Sequence, residues 1–135
     1  MPPASRQERA SALRQKIATL DSERSSLLRT LLELRDLFAA SISIVYRTCG
    51  KAHCTCTRGQ PHGPYFFLSI QSGGRNDRYH LSKIEAKKVQ PAIDRYRLFL
   101  KTLRRLRTVH RQIEAQLRSL QSLCEKRSIK SFTTS

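Results

Sequence analysis

Cys49, Cys54, Cys56 and His62 stand in the pattern C-x4-C-x-C-x5-H, inside a segment punctuated by Gly50, Gly59, Pro61 and Gly63. Three thiols and an imidazole are the donor set that Zn²⁺ takes in closed tetrahedral sites, and a loop too short to build an apolar core gains folding free energy by wrapping such an ion. The spacing therefore predicts a structural zinc site with these four ligands; His53 and His80 are the alternative nitrogen donors. The plainer alternative is a set of free cysteines. Zinc catalysis is disfavoured, because four protein ligands leave no open position and no nearby carboxylate offers a general base. Redox chemistry is disfavoured too, since Cys54 and Cys56 form C-x-C outside any βαβ setting. Cys124 is too distant to join the cluster by spacing.

The 135-residue chain carries a formal net charge of +16, unevenly spread. The share is +2 over residues 1–40, +4 over 41–81 and +10 over 82–135. Clustered Lys and Arg release counterions from phosphates, so the expected partner is a nucleic acid, in the first place double-stranded DNA. On a helix, Arg97, Lys101, Arg104 and Arg111 fall on one face, with Arg105, Arg107 and Arg118 nearby. Arg47, Lys51, Arg58, Arg75 and Arg78 add a second basic group around the aromatic residues Tyr65, Phe66, Phe67 and Tyr79. Those aromatics suit a core or a base-stacking platform equally, because strand alternation hides half of them. No membrane partner is expected: no run approaches the roughly 18 apolar residues of a span. An anionic membrane surface, the competing reading of the charge, is disfavoured because no Lys-rich helix carries an opposing face of bulky aromatics. The N-terminal residues lack a secretory h-region, which points to the cytoplasm.

The elements that must position these groups read as α+β, mostly α. Ser5 and Glu8 form a capping box opening a helix, and Leu13, Ile17, Leu20, Leu27, Leu31, Leu34 and Phe38 follow at 4-3 spacing with Arg24 as the one polar interruption. Ile42, Ile44 and Tyr46 alternate as a first strand, Pro64 to Ile70 reads as a second and Arg78 to Leu81 as a third, with turn residues over 72–77. Ser82 and Glu85 repeat the capping box ahead of a long helix with a stripe of Val89, Ile93, Tyr96, Leu100, Leu103, Leu106, His110, Ile113, Leu117, Leu120 and Cys124. Its two consecutive three-residue steps resemble a stammer, and Pro91 is tolerable within the first turns or marks a short lead-in. The expected architecture is an antiparallel coiled-coil hairpin with an inserted zinc-pinned sheet: a helix over 1–40, the zinc and β module over 41–81, the basic helix over 82–127 and a disordered tail over 128–135. Pairing of the seams between two chains, as a homodimer, is the alternative closure.

The string C-G-K-x-x-C-x-C-x-x-G-x-x-H-G-P-Y from Cys49 to Tyr65, followed by an aromatic strand, a Gly-Gly turn, Arg78-Tyr79 and Tyr96-Arg97, resembles the core of a small, largely uncharacterised prokaryotic family. Genes of that family often lie near transposases or recombinases, so the resemblance implies an accessory role in a mobile element. The expected function is a non-enzymatic, zinc-stabilised DNA-binding protein, docking on a transposase or recombinase through its coiled coil. A coiled-coil interaction adaptor without nucleic-acid affinity and an RNA-binding module are the alternatives.

Overall fold

The computed structural model describes residues 2–133. They fall into two compact units, one of residues 34–99 and one combining the chain up to Glu33 with the chain from Leu100.

Unit 34–99 is built on a three-stranded antiparallel sheet in the order β1-β2-β3, with β1 Ala40–Arg47, β2 His62–Ser72 and β3 Arg75–Leu81. Each strand starts earlier than the sequence signals suggest. Ser72 pairs directly with Arg75, so the turn narrows to Gly73-Gly74, both at positive φ, as a two-residue hairpin requires. Ile42, Phe66, Leu68, Ile70 and Leu81 share one face by register. That face packs on Ala86, Val89 and Ile93 from the start of α2, Lys83–Cys124. Ile93 is wholly buried.

The capping box at the head of α2 forms as expected: Glu85 N–H donates to Ser82 Oγ at 3.1 Å, and Ser82 N–H donates to the Glu85 carboxylate at 3.2 Å. Pro91 lies within the helix rather than in a lead-in. The linker to α2 is tied by Phe38 N–H to the Ala92 carbonyl at 3.1 Å, and by the Arg95 guanidinium to the Asp36 carbonyl at 3.1 and 3.3 Å.

The other unit contains α1, Arg6–Glu33, and the 100–124 stretch of α2. Ser5 and Glu8 make the reciprocal capping bonds at 3.1 and 2.7 Å. Helix α1 ends at Glu33, short of the expected boundary at residue 40, and the left-handed φ of 54° at Asp36 keeps it from resuming before β1. Leu34 and Phe38 are therefore not seam positions, and Phe38 packs against the sheet core instead.

On α1 the buried and half-buried positions include Ala10, Leu13, Ile17, Leu20, Arg24, Leu27 and Leu31, continuing the 4-3 spacing. On α2 the phase differs from the expected stripe. Thr102, Leu106, Val109, Ile113, Gln116, Leu120 and Leu123 are withdrawn from solvent, whereas Leu100, His110, Leu117 and Cys124 are exposed. That row steps 4-3-4-3-4-3, so no stammer is needed. Glu23 pairs with Arg105, and Arg14 Nη2 lies 3.8 Å from Cys124 Sγ, contacts that run antiparallel along the two helices. In the expected disordered tail, Lys130–Thr133 form one exposed helical turn, α3. Thr134 and Ser135, the end of that expected tail, lie outside the described residues.

Candidate metal centre and the basic aromatic face

The metal-type donors come from three local structures. Cys49 follows β1, Cys54 and Cys56 sit at the start of and inside a 3-10 turn over Thr55–Arg58, and His62 opens β2. The turn is held by Thr57, whose N–H and hydroxyl both donate to the Cys54 carbonyl, at 3.1 and 2.6 Å. Gly59 closes it at φ 88°. A register irregularity between Val45 and Arg47 shifts the β1–β2 pairing, leaving Arg47 opposite His62. Gly63 fits the close approach beside His62 because it has no side chain: a Cβ there would lie 2.8 Å from the Val45 carbonyl oxygen, at φ 133°.

Cys49, Cys54, Cys56 and His62 offer four ligand atoms that all lie within 4.8 Å of one another. Cys49 and Cys56 Sγ are 3.4 Å apart, and Cys54 Sγ is 3.0 Å from His62 Nε2. These separations match the edges of a small coordination polyhedron, so the residues present fit a metal ion. Neither alternative nitrogen joins them: His53 is exposed, and His80 stands among the rings of Tyr65 and Phe67 at 6.3 and 5.4 Å. Cys124 is separate, as its spacing implies.

The thiols are not equivalent. The Lys51 amide, followed by His62, Cys56 and Cys54, draws the Cys49 thiol down to about 6 against the opposing effect of burial, which favours a thiolate at neutral pH. The Cys49 amide donates to Cys56 Sγ at 3.3 Å and favours its thiolate, but burial and the neighbouring sulfurs outweigh that bond and raise the Cys56 thiol. Coordination would supply the positive charge that lets three adjacent sulfurs ionise together.

Beside this cluster, strand alternation sorts the aromatics. Phe66 faces the core, while Tyr65 and Phe67 lie on the opposite face of β2. The Arg78 guanidinium sits 4.2 Å from the Phe67 ring centroid and Arg47 sits 5.3 Å from it. Tyr79 is half exposed on the edge strand. Lys51, Arg58 and Arg75 are exposed, with Arg75 directly after the hairpin turn. On α2, Arg97, Lys101, Arg104, Arg107 and Arg111 are exposed. Arg105 is exposed as well but engages both Glu23 oxygens, at 2.6 and 3.0 Å, and Arg118 pairs with Glu114 at 2.6 Å. The Arg47–Phe67–Arg78 arrangement is not visible in residue spacing, because it depends on the register of three strands.

The family model for a domain of unknown function, DUF6788, matches residues 8–91, and the chain belongs to this family. No curated protein and no solved structure matches the chain. The matched stretch contains the whole cysteine–histidine cluster and stops before the basic residues from Arg97 onward. Among the described residues no helix is long and apolar enough to cross a membrane.

Proposed function

We propose that the protein is a zinc-stabilised, non-enzymatic DNA-binding protein of the cytoplasm, serving as an accessory or regulatory partner of a transposase or recombinase. Zn²⁺ is the ion that a closed Cys3His set suits best, and its role is to hold the sheet together rather than to react. The observation that carries the binding reading is the row Lys101, Arg104 and Arg111, exposed along the 100–124 stretch of α2 with no carboxylate partner among the described residues. A solvated helix exterior ordinarily mixes signs, whereas an unpaired cationic row matches a phosphate backbone. The α1–α2 contacts support an antiparallel coiled-coil hairpin as the docking element for the larger enzyme. The mobile-element setting rests on the resemblance of the Cys49–Tyr65 string alone.

The test is fluorescence anisotropy of labelled duplex DNA across a salt series, for the native chain and for Lys101→Ala with Arg104→Ala. Removing two phosphate contacts should weaken binding to every sequence and flatten the salt slope by about two units. An unchanged slope would remove α2 from the interface. Absence of binding at physiological salt would leave an interaction adaptor.

A further inference from the structure

We infer that the face of the sheet turned away from its core, next to the cysteine–histidine cluster, is a binding site for an unpaired nucleotide. This inference rests on the nucleic-acid reading above and names the form of nucleic acid that this face takes.

A cavity of about 350 Å³ opens there, lined by Arg47, Cys49, Tyr65, Phe67 and His80 among others. That volume sits at the small end of the roughly 300–1,000 Å³ typical of ligand sites, a size for one nucleotide rather than for a helix or a folded partner. Three features in and around the cavity select the occupant, with Arg78 on β3 standing beside its lining against Phe67. Tyr65 and Phe67 remain only half-buried and lie outside the core cluster, meeting His80 and, at Phe67, two guanidiniums on the solvent side of the sheet. Two guanidiniums, Arg47 and Arg78, lie over Phe67 and widen the flat π surface while keeping their N–H donors. Neither has a carboxylate partner among the described residues, and Asp77 is the single acidic residue between residues 41 and 81.

A flat, π-rich group carrying negative charge at its edge meets all three features. A base within a duplex cannot, because both its faces are already stacked; an extruded or single-stranded base can stack on the platform of Tyr65 and the guanidinium-covered Phe67 while its phosphates meet the N–H groups of Arg47 and Arg78. An acidic peptide would satisfy the arginines but offer nothing flat to the aromatic platform.

The probe is a short single-stranded oligonucleotide carrying 2-aminopurine, prepared as DNA and as RNA, with the corresponding duplex alongside, titrated with the zinc-loaded full-length protein. Binding should quench 2-aminopurine in a single strand. Phe67→Leu keeps the apolar bulk but removes the ring, and should weaken single-strand binding by roughly 5- to 150-fold and abolish the quenching, with duplex affinity unchanged. Arg78→Gln, an exposed change that leaves the core alone, should weaken the same arm, which keeps the test decisive if Phe67→Leu folds poorly. Loss in either the DNA or the RNA arm supports the site and tells which sugar it accepts. Native-like single-strand binding and quenching by both variants would overturn it while leaving duplex binding standing. Failure of the native protein to bind any of the probes would overturn the nucleic-acid reading itself.

Discussion

At the scale of single residues, the metal-type cluster was the most legible feature, because ligand chemistry depends on residue type and short spacing and both are written locally. Spacing named His62 as the fourth ligand, with His53 and His80 as alternatives, and the structure brings His62 and neither alternative to the thiols. That choice is decided by the 3-10 turn after Cys54 and by the β2 start, which place His62 Nε2 3.0 Å from Cys54 Sγ. Native mass spectrometry should find one zinc ion per chain, lost in Cys56→Ser and retained in Cys124→Ser, since Cys56 is the buried ligand and Cys124 stands outside the cluster. Retention of zinc by Cys56→Ser would refute the assigned ligand set. Phe67 shows the opposite case: its neighbours Arg47 and Arg78 come from other strands, and no one-dimensional spacing reveals their meeting over one ring.

At the scale of elements, local signals did best where the chain satisfies its own backbone. Both capping boxes form, since Ser and Glu three residues apart need no tertiary partner. Glu85 is held below its ordinary value of 4.5, first by the Ser82 amide and then by the Ser82 hydroxyl. A carboxylate depressed by folding contributes stability that is fully present above its unfolded value and lost as pH falls through the lower folded value. Acid unfolding of the native protein, read by helical circular dichroism, should therefore show a larger loss below about pH 4.5 than Glu85→Gln shows, the remainder in the variant coming from groups such as Glu23, which Arg105 holds low. Coinciding acid profiles would refute the capping role. Gly63→Ala should destabilise the 34–99 unit by at least roughly 1–3 kcal/mol in thermal melts, because the new methyl meets the Val45 carbonyl in a left-handed backbone. A melt matching that of the native protein would show that the strand end yields. The phase of α2 was less legible, because apolar residues occupy two neighbouring rows. Leu100, His110, Leu117 and Cys124 compete with Thr102, Val109, Gln116 and Leu123, and hydropathy prefers Leu117 to Gln116 although burial is the reverse. Packing position, rather than side-chain polarity, decides between such rows.

At the scale of the whole molecule, the α+β class was readable from periodicity, since a 3.6-residue period gives way to alternation at residue 40 and returns at residue 83. The core that holds unit 34–99 together was only partly readable. Ile93 was singled out as apolar, but its complete burial follows from Phe38, Phe66 and Leu68 being gathered against it by the sheet register. Ile93→Ala should cost about 2–5 kcal/mol in chemical denaturation, against well under 1 kcal/mol for Ala at exposed Arg97. Equal costs at the two positions would contradict this core. Charge also belongs to this scale: +10 of the +16 lies in residues 82–135, mostly beyond the stretch matched by the family. The most direct test is duplex-DNA anisotropy across a salt series, run on zinc-loaded protein and repeated after chelation. Tight binding that falls steeply with salt and weakens when the metal is removed is the predicted result; equally weak, salt-insensitive signals in both states would contradict a zinc-stabilised DNA-binding protein.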